Sequence, residues 1–340
     1  MRNGWFMLSH KYSTASGYDR EGLAQLGRDL KVAERLDVEC VVLESYLKDF
    51  KYGDYTDVWS DETLRAMVDL IHERGMKAIP YTNLTEVDIK SSVYREHGDW
   101  LARPPVGREY SGFISCYLPD YYEGFDFVNK LVCPASGWRD HYLGQCGELM
   151  ERFGFDGVYV DRTDFRVPCR AHPGFAEGIV DTIGELQGLI KSKSPENLLV
   201  LNDSFRSPDR IFRRVMEHAD IVLTEILPPG TNQDISNIVM FLTSDILQAV
   251  KPLTEVLMKA GFRGWSNSPV NDTARIARRV RLLKRVTGKP VWVCNQAVSA
   301  ASAVYAWRAA VETGENFCVI TSEFLENSKK IQGMIERLGL

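Results

Sequence analysis

Apolar positions along the chain gather in short, β-branched runs separated by longer stretches with helical spacing. The first run covers 5–9, and the stretch 21–36 then places Leu23, Leu26, Leu30 and Ala33 on one helical face. A second run at 39–43 is followed by Ser60-Asp61-Glu62, an N-cap arrangement opening a helix that carries Leu64, Met67, Val68 and Ile71. Gly75 ends that helix, and 77–81 is the third strand. The stretch 87–135 is rich in Pro, Gly and Tyr and reads as irregular; Ser136 then caps a helix running to about 153. Strand, helix, strand, helix, strand follow at 157–161, 174–192, 197–201, 208–217 and 220–224. A second long stretch, 227–270, leads into a basic helix, a strand at 290–294, an Ala-rich helix at 300–311 and a strand at 316–320. A last helix carries Ile331, Met334, Ile335 and Leu338.

Eight strands, each followed by a helix, predict an α/β fold of the (βα)8 TIM-barrel type, with long inserts after the third and sixth strands. The strands are continuous apolar runs, as a parallel sheet buried on both faces requires. Setting the two inserts aside leaves roughly 247 of the 340 residues, near the roughly 250 of a typical barrel. The expected organisation is therefore one domain over 1–340 with inserts at about 87–135 and 227–270. A doubly wound open sheet is the alternative, weakened by Ser9-His10-Lys11-Tyr12 where a glycine-rich turn would stand.

Composition removes whole classes. With 44% hydrophobic and 26% charged residues, the chain is neither disordered, collagenous nor a disulfide-stapled miniprotein. No apolar run reaches the roughly 18 residues of a membrane span, and a net charge of −5 does not suit a nucleic-acid binder. The basic stretch Arg275, Arg278, Arg279, Arg281, Lys284 and Arg285 reads as the solvated face of an amphipathic helix, since Ile276, Val280 and Leu283 fall at helical spacing. Seven cysteines, an odd number, several inside apolar runs (Cys40, Cys294, Cys318), and no evident secretory leader point to reduced thiols and a cytoplasmic location. No Cys/His zinc spacing is evident, so no metal and no cofactor is expected.

In such a barrel the chemistry lies at the C-terminal strand ends. Those ends deliver Ser9, His10 and Lys11; Glu44, Ser45 and Tyr46; Tyr81 and Asn83; Asp161, Arg162 and Asp164; Asn202 and Asp203; Glu225; Asn295 and Gln296; and Thr321, Ser322 and Glu323. A ring of acids, amides and hydroxyls with aromatics nearby suits sugar hydroxyls and sugar faces. Some of these, notably Asp203, Thr321 and Ser322, equally suit capping of the next helix. Lys11 and Lys48 lie beyond the position of a Schiff-base lysine, the six histidines form no HxH or HExxH, and the last two strand ends lack the glycines of a phosphate site. Paired carboxylates remain, as glycosidic bond cleavage needs. Asp161 is the first candidate and Glu225, two strands on, the second; Asp203 and Glu44 are the reserves. Arg162 would favour an ionised Asp161. Asp156 precedes its strand on the wrong face and reads as a turn residue.

The segment Cys133-Pro134-Ala135-Ser136-Gly137-Trp138-Arg139-Asp140, followed by a helix and by Gly154-Phe155-Asp156-Gly157-Val158-Tyr159-Val160-Asp161, resembles barrel glycoside hydrolases of the α-galactosidase and dextranase-like group. The passage His72-Glu73-Arg74-Gly75-Met76-Lys77 into Ile79-Pro80-Tyr81 is similar to theirs as well. The resemblance covers about 61–164. It implies that the aspartate ending the fourth strand is a nucleophile and that the glutamate of the sixth strand is the acid/base, which are Asp161 and Glu225 here. Chitinase-like barrels also carry Phe-Asp-Gly, but Thr163 stands where their catalytic glutamate falls. The expectation is a retaining glycoside hydrolase of carbohydrate metabolism. Its hydroxyl-binding residues would be His10, Glu44, Tyr81, Asn83, Arg162, Asn202, Asp203 and Asn295. The partner would be a carbohydrate, not nucleic acid or membrane, with a homo-oligomer left open. The alternatives are a barrel that binds a saccharide or polyol without turnover, and a lyase or isomerase using His10 and Glu44.

Overall fold

The computed structural model describes residues 3–7, 20–44, 46–114, 128–163, 166–203, 209–225, 272–294 and 300–320. Its elements are β1 (Asn3–Met7), α1 (Arg20–Arg35), β2 (Val38–Leu43), α2 (Asp61–His72), β3 (Lys77–Asn83), β4 (Glu86–Asp88), α3 (Ser92–Glu96), β5 (Ser111–Ile114), β6 (Val128–Leu131) and α4 (Trp138–Phe153). They continue with β7 (Gly157–Asp161), α5 (Phe175–Lys193), β8 (Leu198–Asn202), α6 (Arg210–Glu217), β9 (Ile221–Glu225), α7 (Thr273–Thr287), β10 (Val291–Cys294), α8 (Ala300–Thr313) and β11 (Asn316–Ile320). The stretch 227–270 and the expected last helix lie outside the described residues. Among the described residues no helix is long and apolar enough to cross a membrane.

Eight strands close in the order β1-β2-β3-β7-β8-β9-β10-β11, with β11 pairing back onto β1, and every pairing is parallel. The predicted (βα)8 barrel is therefore the fold. Neighbouring residues such as Val41 and Val42 are both fully buried, one toward the barrel interior and one toward the helices. The helices begin where small polar side chains satisfy free backbone amides: Ser60 accepts from Thr63, Asp209 from Phe212 and Asp272 from Arg275.

The first strand starts two residues before the predicted run. Its entry is glycine for a packing reason, because a Cβ on Gly4 would lie 2.8 Å from the indole of Trp292 on β10. Asn3 ties the seam, donating to the Leu36 carbonyl and accepting from the Phe317 amide.

The described parts of the stretch 87–135, residues 87–114 and 128–135, hold more regular structure than their composition suggested. They hold the helix α3 and a three-stranded antiparallel sheet in the order β4-β6-β5. The strands are too short for a period to show, and buried polar residues (Glu86, Asp88, Asn129, Lys130) replace apolar alternation. Ser136 does not cap α4 by itself; the helix begins at Trp138, although the Ser136 hydroxyl accepts from the Trp138 amide.

The Phe155-Asp156-Gly157 run is an anchor for β7. The Asp156 carboxylate accepts from the Ala78 amide at 2.9 Å and pairs with His72, as its reading as a turn residue required. Gly157 has φ +147°, and a Cβ there would fall 1.9 Å from the Leu198 carbonyl oxygen. Gly157→Ala must therefore part β7 from β8 or rotate an unfavourable backbone, at a cost of roughly 3 kcal/mol. The urea midpoint should drop accordingly; an unchanged midpoint would show that the contact relaxes freely.

Candidate active site

Asp161 is the last residue of β7, and its register partner on β3 is Asn83. Three neighbours hold its carboxylate. The Tyr81 hydroxyl donates to Oδ2 at 2.8 Å, and the Asn202 amide and the Arg162 backbone N–H each donate to Oδ1 at 2.8 Å. Tyr81 sits on β3 and Asn202 ends β8, so the two strands flanking β7 supply the side-chain donors. The third donor depends on backbone conformation: Arg162 has φ +57°, in the left-handed region, which turns its amide back toward the preceding side chain. A bulky L-residue held there costs of order 1 kcal/mol or more. The Thr85 hydroxyl, donating to the Arg162 carbonyl at 3.0 Å, helps fix the turn.

Burial raises the Asp161 pKa above the usual aspartate range, opposed by the Arg162 guanidinium and then by the Tyr81, Arg162 and Asn202 hydrogen bonds. Glu44, following β2, stands in a drier place at 1% exposure. Tyr52 donates to its Oε1 at 2.8 Å, while Oε2 has no hydrogen-bond partner among the described residues. Burial lifts the Glu44 pKa from 4.5 to about 8, against the Tyr52 hydrogen bond and with a further push from the Asp161 charge. At neutral pH Glu44 is then mostly a neutral acid, so the two carboxyl groups need not both be charged. The rings of Tyr52, Tyr81 and Tyr159 form a row beside them, with centroids 5.6 and 5.5 Å apart.

The other expected residues separate. Asn83 is 1% exposed, and its amide is engaged within the insert: Oδ1 accepts from the Thr85 and Glu86 amides and Nδ2 donates to Glu86. Asp203 is buried in the barrel wall, where Oδ2 accepts from Thr224 and pairs with Arg279 at 2.9 Å. These contacts tie both side chains into the scaffold. The Asp203 pair also corrects the reading of α7 as carrying only a solvated basic face. Arg279 lies at the edge of the apolar stripe, and its stem reaches inward while Arg278 and Arg281 stay exposed. Glu225 ends β9, one strand beyond β8, at the same end of the barrel as Asp161; its side chain lies outside the described residues, as do His10, Asp164 and Asn295.

Tyr52 and Glu86 were not singled out from sequence. Tyr52 lies in a polar turn after β2, and only its place behind an acidic strand end marks it. Glu86 is buried in a three-residue strand, accepts from Asn83 and Asn129, and lies 3.9 Å from the Arg162 guanidinium; no periodicity points to it.

No family model and no curated protein matches the sequence. Solved structures do resemble the fold. The galactosidase domain of an alpha-galactosidase–sucrose kinase superposes with a TM-score of 0.55 at 13% identity, over 99% of this chain and 40% of that one. A Paenibacillus sp. cycloisomaltooligosaccharide glucanotransferase, complexed with cycloisomaltoheptaose, gives 0.52 at 14% identity, over 86% and 38%. The chain has the barrel fold of these carbohydrate-active enzymes. It spans about two-fifths of the length of each. At such identity the likeness is one of fold, and the chemistry must be argued from the strand ends.

Proposed function

We propose that the chain is a retaining glycoside hydrolase with Asp161 as nucleophile and Glu225 as acid/base. The observation that supports this most is the three-donor hold on Asp161 at the strand end. A carboxylate gripped by Tyr81, Asn202 and the Arg162 amide has one fixed orientation, and all three bonds favour its ionised form. Asp161 would attack the anomeric carbon while Glu225 protonates the departing oxygen; water activated by Glu225 would then free the sugar. Arg162 would keep the nucleophile charged between turnovers. The buried tyrosine row packs behind the two carboxyl groups, where the Tyr81 and Tyr52 hydroxyls orient Asp161 and Glu44.

The test is a panel of aryl glycosides followed by proton NMR of the first sugar released. Retention of anomeric configuration is the expected result. An inverted product would overturn the nucleophile role, and saturable binding without release of aglycone would make the chain a saccharide-binding barrel.

A further inference from the structure

One cluster lies outside the carboxylate site and uses none of its groups. Cys133 follows β6 and is fully buried; Cys169 and His172 are half-buried and lie three residues apart between β7 and α5. The two Sγ atoms and one imidazole nitrogen of His172 all fall within 4.8 Å of one another. We propose that Cys133, Cys169 and His172 bind a soft divalent cation of the Zn2+ type, which pins the insert after β3 to the loop after β7.

The geometry suits that ion. Two thiols and one imidazole are the donor set zinc prefers over harder cations. With Zn–S near 2.3 Å and Zn–N near 2.0–2.1 Å, a tetrahedral site has an S···N edge of about 3.6 Å. The Cys169 Sγ to His172 Nδ1 separation is 3.7 Å. The Arg103 backbone N–H also donates to the Cys169 sulfur at 3.4 Å, a bond that supports a metal-bound thiolate. Three protein ligands leave one position for water.

The two segments already meet around the cluster. Tyr110 donates to the Pro168 carbonyl at 2.7 Å and the Arg170 amide to the Arg103 carbonyl at 2.9 Å, while within the insert the Cys133 amide donates to the Trp100 carbonyl at 2.8 Å. A cation would join the insert through coordinate bonds to the loop that starts at Arg162. Sequence spacing hid this because Cys133 is far from the Cys169–His172 pair, and only the fold unites them.

The test is direct and does not depend on glycoside turnover. The full chain, reduced and stripped with chelator, is titrated with Co2+. The expected result is one equivalent bound, with thiolate-to-cobalt charge transfer in the near ultraviolet and tetrahedral bands in the red, both abolished by Zn2+. Cys169→Ser and His172→Gln should each weaken binding by more than about tenfold. Zn2+ in roughly hundredfold excess over its dissociation constant should raise the melting temperature of the native chain by about 4 °C and that of Cys169→Ser by far less. His172 is partly exposed, so its variant remains informative if the serine variant folds poorly. The proposal is overturned if the charge-transfer band is missing, if it survives in both variants, or if mass spectrometry of non-reduced protein finds Cys133 and Cys169 joined as a disulfide.

Discussion

Asp161→Asn should lower kcat on any glycoside the chain turns over by on the order of 10³-fold or more, about 4 kcal/mol of barrier. The amide is isosteric and can still accept from the Arg162 and Asn202 donors on Oδ1, but it cannot form a stable glycosyl ester. The fold should not suffer. Burial disfavours the Asp161 charge, so a neutral side chain relieves the native state of that cost and the melting temperature should hold or rise. Activity lost with stability gained is the signature of a site residue rather than a scaffold one. Turnover within tenfold of the native chain would remove Asp161 from the nucleophile role, and a fall in melting temperature would show that the three donors need the negative charge.

Glu44→Gln should change how stability depends on pH. Its folded pKa of about 8 lies above its ordinary value of 4.5. Between those values the folded chain keeps a proton that the unfolded chain has released. Stability from this group is thus complete below about pH 4.5 and is lost as pH rises to about 8. By pH 7 the loss is on the order of 3 kcal/mol. The glutamine side chain still offers Tyr52 an acceptor and has no proton to lose, so the loss disappears. Its new N–H donors replace an oxygen that had no partner among the described residues, and they add a pH-independent offset of about 1–3 kcal/mol in the opposite sense. The readout is therefore the slope: urea midpoints of the native chain should fall relative to the variant between pH 5 and pH 8. Parallel curves would mean that Glu44 ionises as an ordinary carboxylate.

What could be read in advance follows a physical division. The barrel strands and their helices were legible because burial on both faces makes continuous apolar runs, and because Ser60 and Gly75 punctuate them in the expected sense. Asp161 was legible as the acid ending one such run. The small sheet of β4, β5 and β6 was not, since a strand such as Glu86–Asp88 is shorter than any period and carries buried acids. The sequence ranked Asp161 above Asp203 but could not show what holds each of them. Both follow buried strands, yet one is held by Tyr81, Asn202 and the Arg162 amide, and the other pairs with Arg279 from a helix some 76 residues further along. Pairings of that span are decided by the closed barrel, not by neighbours in the chain.

The insert is joined to the strand end at the level of single atoms. The Leu84 amide donates to the Asp161 carbonyl at 3.3 Å, the Thr85 hydroxyl to the Arg162 carbonyl, and the Trp138 indole to the Leu84 carbonyl at 2.6 Å. Under the proposed activity, this makes specificity and reactivity a single heritable unit. A lineage adapting to a new sugar could change side chains along this segment, but lengthening or exchanging it would also move Asp161. Loop grafting, the usual way to retarget barrel enzymes, should therefore be poorly tolerated on this side of the mouth.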